Sequence, residues 1–354
     1  MSALNGLKVL DLSRVLAGPW CGQMLADLGA DVIKVESFDG DDTRGMGPPY
    51  IGEISAYFSC ANRNKRSICI DLHKAESREV IHTLVKQADV LIENFRTGTA
   101  ERLGVGYETL SAINPRLIYC SVSGYGRTGP EATRAGYDFA VQAEGGLMAI
   151  TGARDGTPNK VAVAVVDLAT GQNAVIAILA ALLQRQNSGH GQQVAVSLFD
   201  TQLTWLANIG AGVLFTGEDA PRYGNEHASI VPYRDFAASD QHFVLTVANE
   251  KLWHALCEAV GHPAHWSLGR GLLDGFRRIR QEFEPEILER GAPGAARRQL
   301  QRDHATGPAR TFLLMVLHRD TVHPGPQAPT LGPDPVRVPV AGLRHTVQFG
   351  FVRV

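Results

Sequence analysis

Short apolar runs alternate with helical patterns along the first half of this chain. Apolar residues recur at helical spacing after the first run, at Trp20, Met24 and Leu28, and again across 75–87. The alternation of strand, loop and helix predicts a doubly wound α/β fold with a mostly parallel, Rossmann-like sheet. The apolar runs that predict its buried strands are 7–12, 29–36, 67–72, 88–93, 117–122 and 192–198.

One further apolar run, 161–166, leads directly to an acid, Asp167, and a second run follows at 174–183. This pattern predicts a buried strand and then a buried helix, with Asp167 at their junction. Open α/β sheets carry their chemistry at the carboxyl ends of strands, so Asp167 is a candidate catalytic residue. The alternative is that Asp167 is a helix N-cap, and the local pattern by itself favours that interpretation.

Other polar residues allow both a functional and a structural interpretation. Arg44, in the Gly/Pro-rich loop 39–49, is either solvated or paired with a carboxylate. The cations within 62–67 form either a solvated edge or a phosphate site. Asp138 is a second candidate acid, or else a surface residue in the first turn of a helix that begins within 135–142. A glycine-rich segment, 123–130, follows the strand at 117–122.

Composition narrows the class of protein. The chain has 354 residues, a formal net charge of −2 and ordinary hydrophobic and charged fractions of 44% and 20%. That charge predicts neither a nucleic-acid partner nor recruitment to an anionic membrane. The five cysteines lack metal-ligand or disulfide spacing, and the N-terminus lacks the pattern of a secretion signal. We therefore expect a cytoplasmic protein with no metal site.

The character of the sequence changes twice along the chain. Residues 1–215 carry the α/β pattern and predict the large domain. Residues 216–265, with the strand-like segments 230–233 and 242–247 and a helical pattern from Glu250 to Val260, predict a smaller α+β domain. Residues 266–354 form a divergent tail, and 321–340 alone hold six prolines and two glycines. The break near Trp266 suggests the hypothesis of a frame-shifted or poorly folded tail.

Several motifs together resemble the class III CoA-transferases, the family of formyl-CoA transferase and carnitine CoA-transferase. Features shared with dicarboxylate members such as succinyl-CoA:glutarate CoA-transferase include 41–44, 135–138, 167–171 and 229–233. The resemblance covers roughly residues 4–262. The motifs that carry the family resemblance are 4–12, 17–19, 28–36, 62–67, 88–94, 102–104, 124–130, Asp167 and 189–191.

The resemblance implies transfer of CoA from an acyl-CoA, expected to be succinyl-CoA, to a small carboxylic acid, expected to be a dicarboxylate. Asp167 falls on the family's catalytic aspartate, which forms anhydride and thioester intermediates. The family also implies an interlocked homodimer and a CoA thioester as substrate, with no tightly bound cofactor. The residues implied to contact CoA are Val15, Leu16, Ala17, Ile70, Asp71, Leu72, His73, Asn94, Phe95, Arg96, Arg102, Arg134, Gly136, Tyr137 and Asp138.

Departures from the family pattern define the alternatives. Ser37 replaces a frequent basic residue, and Leu16 replaces a substrate-side glutamine of the formyl-CoA enzyme, which makes oxalate a poor acceptor. The related α-methylacyl-CoA racemases use a histidine where this chain has Tyr137, and tyrosine is a weak base at neutral pH. Racemase-like activity and an inactive member with a disrupted C-terminus are therefore the competing hypotheses. Arg102 is the preferred phosphate ligand, ahead of Lys65 and Arg63.

Overall fold

Six parallel strands form the central sheet of this protein in a computed structural model. The structure describes residues 2–237, 242–259 and 314–316. The chain divides into two compact units, of which the first ends at Arg222 and the second begins at Tyr223. The strands of the first unit are β1 (Lys8–Asp11), β2 (Asp31–Glu36), β3 (Tyr50–Ile51), β4 (Ile54–Ser55), β5 (Lys65–Cys69), β6 (Val90–Glu93), β7 (Ile118–Ser123) and β8 (Gln193–Ser197).

The order of the strands confirms the predicted doubly wound sheet. Strands β5-β2-β1-β6-β7-β8 lie side by side, while β3 and β4 form a separate antiparallel hairpin. From β1 the chain first adds β2 and then β5 on one side of the sheet. It then crosses back and adds β6, β7 and β8 on the other side of β1. The loops after β1 and β6 therefore flank the point where the strand order reverses, which is where open α/β sheets form their binding crevice.

Helices cover both faces of this sheet. One buried apolar cluster includes residues of the helices α1 and α8, and a second includes residues of α3 and α5. The helices of the first unit are α1 (Ala17–Asp27), α2 (Ala56–Asn62), α3 (Ala75–Val85), α4 (Thr99–Arg102), α5 (Tyr107–Ile113), α6 (Asp138–Glu144), α7 (Leu147–Ile150), α8 (Val165–Ser188), α9 (Leu198–Trp205) and α10 (Ala207–Thr216).

The strand predicted at 161–166 is wrong. The α8 helix begins at Val165, and the preceding residues 161–164 form no regular element. A short run of small and β-branched residues is compatible with either a buried strand or a buried helix, so its periodicity does not decide between them. Helix α8 is long and apolar enough to cross a membrane by length and composition alone, but half of its most apolar window is buried inside the fold.

A buried ion pair joins β1 to β5 beneath the first turn of α1. The Nζ of Lys65 lies 2.8 Å from the Asp11 carboxylate, and it also donates to the Pro19 carbonyl and the Asn62 side chain. Both side chains of the pair are almost completely buried, with exposures of 2% and 0%. The attraction between the two buried charges offsets the cost of removing them from water only while both are present. Removal of one leaves the other without a partner in a low-dielectric environment.

We therefore expect Lys65→Met to lower the free energy of unfolding by about 3–5 kcal/mol, since it leaves the buried Asp11 carboxylate without its cation. The double variant Lys65→Met/Asp11→Asn should recover part of that loss, because asparagine is neutral. Urea denaturation of both variants measures the effect, with Lys86→Met, at an exposed lysine, as the matched control. The prediction would be contradicted if Lys65→Met lowered the free energy of unfolding by no more than Lys86→Met does.

The second unit contains an antiparallel sheet, as its strand-like segments predict. Its strands are β9 (Tyr233–Ala237), β10 (His242–Thr246) and β11 (Leu314–Val316), with β10 in the centre. Helix α11 (Glu250–Ala259) contributes Trp253 to a buried cluster that also holds Phe236 and Phe243. The hypothesis of a divergent tail at 266–354 falls outside the described residues, apart from 314–316.

Candidate active site

Four of the stretches implied to contact CoA follow strands of the central sheet. They come after β1, β5, β6 and β7, respectively, and these strands are parallel. Their carboxyl ends therefore meet at one edge of the sheet, and the fold brings to that edge residues that are far apart in sequence. The stretches are 15–17, 70–73, 94–96 and 134–138. Arg102 is the last residue of the four-residue helix α4, which follows the loop after β6, and it is exposed.

Tight backbone contacts shape this edge. Gly124, just after β7, lies so close to Gly136 that a Cβ on Gly124 would be 2.5 Å from the Gly136 Cα. Likewise, a Cβ on Gly171 would be 2.6 Å from the carbonyl oxygen of Ala17. The side chains of Leu16 and Ala17 are buried. A ligand at this edge would therefore meet mainly the backbone of those two residues.

Asp167 is the third residue of α8 and lies one helical turn before Gly171. It is therefore not the N-cap, a position that Ala164 occupies. The contact between Gly171 and Ala17 places the first turns of α8 beside the start of α1. Asp167 is thus close to the segment 15–17 at the carboxyl edge of the sheet, although no strand leads into it.

The side chain of Asp138 performs the capping that the sequence suggested for Asp167. Its Oδ2 accepts hydrogen bonds from the backbone N–H groups of Val166, at 2.8 Å, and Asp167, at 3.3 Å. Its Oδ1 accepts from Gln142 at 2.6 Å, and the fully buried Gln142 in turn accepts from the N–H of Val161. Asp138 is partly buried and anchors α8, so the interpretation as a surface residue is wrong.

The environment of Asp167 favours its protonated form. Burial, and then the nearby charge of Asp138, raise the pKa of Asp167 from 3.8 to about 7. Tyr57, on helix α2, shares this environment: burial and then Asp167 raise the pKa of its hydroxyl. No sequence pattern points to Tyr57, because neither α2 nor its packing is evident from the order of apolar and polar residues. A carboxylate with a raised pKa is more basic than usual, and hence a stronger nucleophile once ionised.

The cations proposed from sequence are largely engaged by protein carboxylates. Arg44 binds both oxygens of Glu36 at 2.7 Å, so it pairs with a carboxylate of the protein itself. Arg134 pairs with Glu144 and Glu131. His227, in the second unit, accepts hydrogen bonds from two backbone N–H groups through its Nδ1. A dicarboxylate acceptor needs a cation for its far carboxylate, and the sequence offers Arg44, Arg134 and His227 for that role. These interactions remove the basis for assigning any of the three to it.

The proposed phosphate site at 62–67 is also occupied by protein groups. Arg63 forms two hydrogen bonds to Asp27, and Arg66 binds both oxygens of Asp31. Lys65 is buried with three acceptors, as described above. The cluster therefore ties β5 and α2 to the rest of the first unit, and a phosphate role for Lys65 and Arg63 is not supported.

Comparisons with known proteins agree on one family. The family model of CoA-transferase family III matches residues 4–333. The succinate–glutarate CoA-transferase of Agrobacterium fabrum is 47% identical over 265 residues, which cover 73% of this chain and 66% of that protein. The succinyl-CoA:glutarate CoA-transferase of Mus musculus is 43% identical over 264 residues, covering 74% of this chain and 61% of that protein. The chain thus spans less than two thirds of the length of these curated relatives.

A solved structure agrees in fold. The crystal structure of a CAIB/BAIF family protein from Brucella suis shares 43% sequence identity with this chain and superposes with a TM-score of 0.73. The match covers 88% of this chain and 84% of that protein. The six-stranded parallel sheet therefore has a counterpart among experimentally determined structures.

Proposed function

Because this chain belongs to CoA-transferase family III, we propose that it transfers CoA from an acyl-CoA donor to a carboxylic acid, with Asp167 as the nucleophile. The observation that carries the proposal is the position of Asp167 at the start of α8. There it is partly buried, next to Asp138, and one helical turn from the contact between Gly171 and Ala17. Relatives named for succinate and glutarate support a dicarboxylate acceptor and succinyl-CoA as donor.

The proposed reaction proceeds through two kinds of covalent intermediate. The Asp167 carboxylate attacks the thioester carbonyl; a C–O bond forms, the C–S bond breaks, and CoA thiolate leaves a mixed anhydride behind. The thiolate then attacks the aspartyl carbonyl, which gives an aspartyl-CoA thioester and the free donor acid. The acceptor carboxylate attacks this thioester and releases the thiolate. The thiolate finally attacks the acceptor's carbonyl and restores Asp167.

The raised pKa of Asp167 suits this role. A nucleophilic carboxylate must be ionised, and its reactivity increases with its basicity. The intermediates hydrolyse in water, so a partly buried position protects them. Backbone N–H groups near the start of α1 are suitable donors for the oxyanion that forms at each step.

The acceptor class is tested by incubating the protein with succinyl-CoA and one acid at a time, and separating the CoA esters by liquid chromatography. We expect glutarate and similar dicarboxylates to give new CoA esters and free succinate, with much less product from butyrate or oxalate. Absence of exchange with every acid, under conditions in which coenzyme A binds, would refute the proposal. Racemisation of a 2-methylacyl-CoA without exchange would instead select the racemase-like alternative.

Three further features rest on the family resemblance. We propose that the protein is an interlocked homodimer, that the second unit is the smaller domain of the family, and that the substrate is a CoA thioester with no tightly bound cofactor. From the spacing of its cysteines we also propose that the protein is cytoplasmic. The CoA-contact residues named from the resemblance likewise stay predictions. Sedimentation analysis of the purified protein tests the dimer directly.

A further inference from the structure

Val15 has an unusual backbone conformation for its residue type. Its φ angle is 68°, in the left-handed region, although its side chain is β-branched. Such a conformation is unfavourable for valine and persists only where surrounding groups hold it in place. Strained residues of this kind concentrate at functional sites, and Val15 lies at the carboxyl edge of the sheet, directly after β1.

Asp41 supplies the contact that holds Val15. Both carboxylate oxygens of Asp41 lie 3.3 Å from the backbone nitrogen of Val15, which donates to them. The Asp41 side chain is completely buried and forms an ion pair with Lys34 at 2.8 Å. Thr43 donates to the same carboxylate from its backbone N–H and from its hydroxyl.

The preceding residues of the loop are held in the same way. The Nζ of Lys34 donates to the carbonyl of Ser13 at 2.8 Å. Asn94, after β6, accepts from the N–H of Arg14 and donates to its carbonyl. Lys34 and Asp41 therefore act together on the segment from Ser13 to Val15, whose backbone polar groups are bound by side chains from other parts of the fold.

This segment continues into the residues that border the candidate nucleophile. Ala17 contacts Gly171, one turn beyond Asp167 on α8. We propose that Lys34 and Asp41 are a positioning pair, which holds Val15 left-handed so that the backbone of 15–17 is preformed for the thioester end of an acyl-CoA. This inference rests on the proposed function. Preforming a binding segment lowers the entropy lost when the ligand binds.

The protonation state of Asp41 is consistent with this role. Burial acts to raise its pKa, but the charge and hydrogen bond of Lys34, together with the hydrogen bonds of Thr43, lower the pKa below its usual value. Asp41 is therefore ionised at neutral pH and remains an acceptor for the Val15 N–H.

The test separates anchoring of Val15 from simple loss of a buried charge. Both variants carry Lys34→Met, which removes the buried cation. Lys34→Met/Asp41→Asn retains a carbonyl acceptor for Val15, whereas Lys34→Met/Asp41→Leu has none. We expect the KM for succinyl-CoA and the calorimetric Kd for coenzyme A to be at least about tenfold higher in the leucine variant than in the asparagine variant, with a smaller change in kcat.

Two further variants complete the design. Adding Val15→Gly to each background should reduce the tenfold difference to about threefold or less, because glycine adopts positive φ without an anchor. A pair that only stabilises the fold would give equal KM values in the asparagine and leucine variants, with or without Val15→Gly.

Crystal structures of the two double variants give a measurement that is independent of activity. We expect φ of residue 15 to stay near its positive value in the asparagine variant and to become negative in the leucine variant. A positive φ in the leucine variant, or equal KM and Kd values, would overturn the proposal. A wild-type protein without CoA exchange would refute the proposed function instead, and the φ comparison would still decide the role of the pair.

Discussion

Replacing Asp167 with asparagine is expected to lower the rate of CoA exchange by at least about a thousandfold, because the amide cannot act as the nucleophile. Asparagine has nearly the size of aspartate, so the start of α8 should keep its contacts with Asp138. The KM for succinyl-CoA should change little from its wild-type value, and coenzyme A should still bind. The exchange assay with succinyl-CoA and glutarate measures the rate, and calorimetry measures the binding.

The matched control is Asp155→Asn, which changes the net charge equally at an exposed position. It should leave the exchange rate unchanged. In the wild-type protein, mass spectrometry after a short incubation with succinyl-CoA should detect CoA attached to the peptide that contains residue 167. Exchange at a near wild-type rate in Asp167→Asn would refute the assignment, and so would steady turnover without an adduct on that peptide.

The same substitution is expected to stabilise the protein at high pH. The pKa of Asp167 rises from 3.8 to about 7 on folding, so the folded protein retains a proton that the unfolded chain has already lost between these values. Raising the pH through this window therefore destabilises the wild-type fold, by at most about 4 kcal/mol in total. Asparagine is neutral throughout and does not contribute this loss.

The difference in free energy of unfolding between Asp167→Asn and wild type should thus grow from pH 4 to about pH 7 and stay constant above it. Urea denaturation at several pH values measures this difference, and titration of groups common to both proteins largely cancels. Asp155→Asn should show no comparable rise with pH. A difference that is independent of pH, or that grows as the pH falls, would show that folding does not raise the pKa of Asp167.

The central sheet was largely predictable from sequence, whereas one segment beside the nucleophile was not. Parallel strands buried on both faces, such as β6 and β7, consist mostly of apolar residues, and such runs are visible without an alignment. The run at 161–166 has the same appearance but forms no strand. Its conformation depends on Asp138, whose side chain caps α8 from 28 residues away.

Contacts with carboxylates also decide the roles of two cations that the sequence left open. Arg44 and Lys65 both appeared available to a ligand, because sequence shows a cation but not the carboxylate beside it. Their partners, Glu36 and Asp11, lie on the neighbouring strands β2 and β1. The turn after β2 brings Arg44 back to Glu36, eight residues earlier, whereas the order of the strands brings Lys65 to Asp11, 54 residues away.

The sequence by itself determined the class of fold, the six strands of the central sheet, and Asp167 as the candidate nucleophile. These features follow from local sequence patterns and from the motifs that the chain shares with the CoA-transferase family. The tertiary structure alone decided that Asp167 opens a helix, that Asp138 supports it, and that Lys34 and Asp41 hold Val15 in place. The reason is that desolvation, charge–charge interaction and hydrogen bonding depend on distance in space, which spacing along the chain does not reveal.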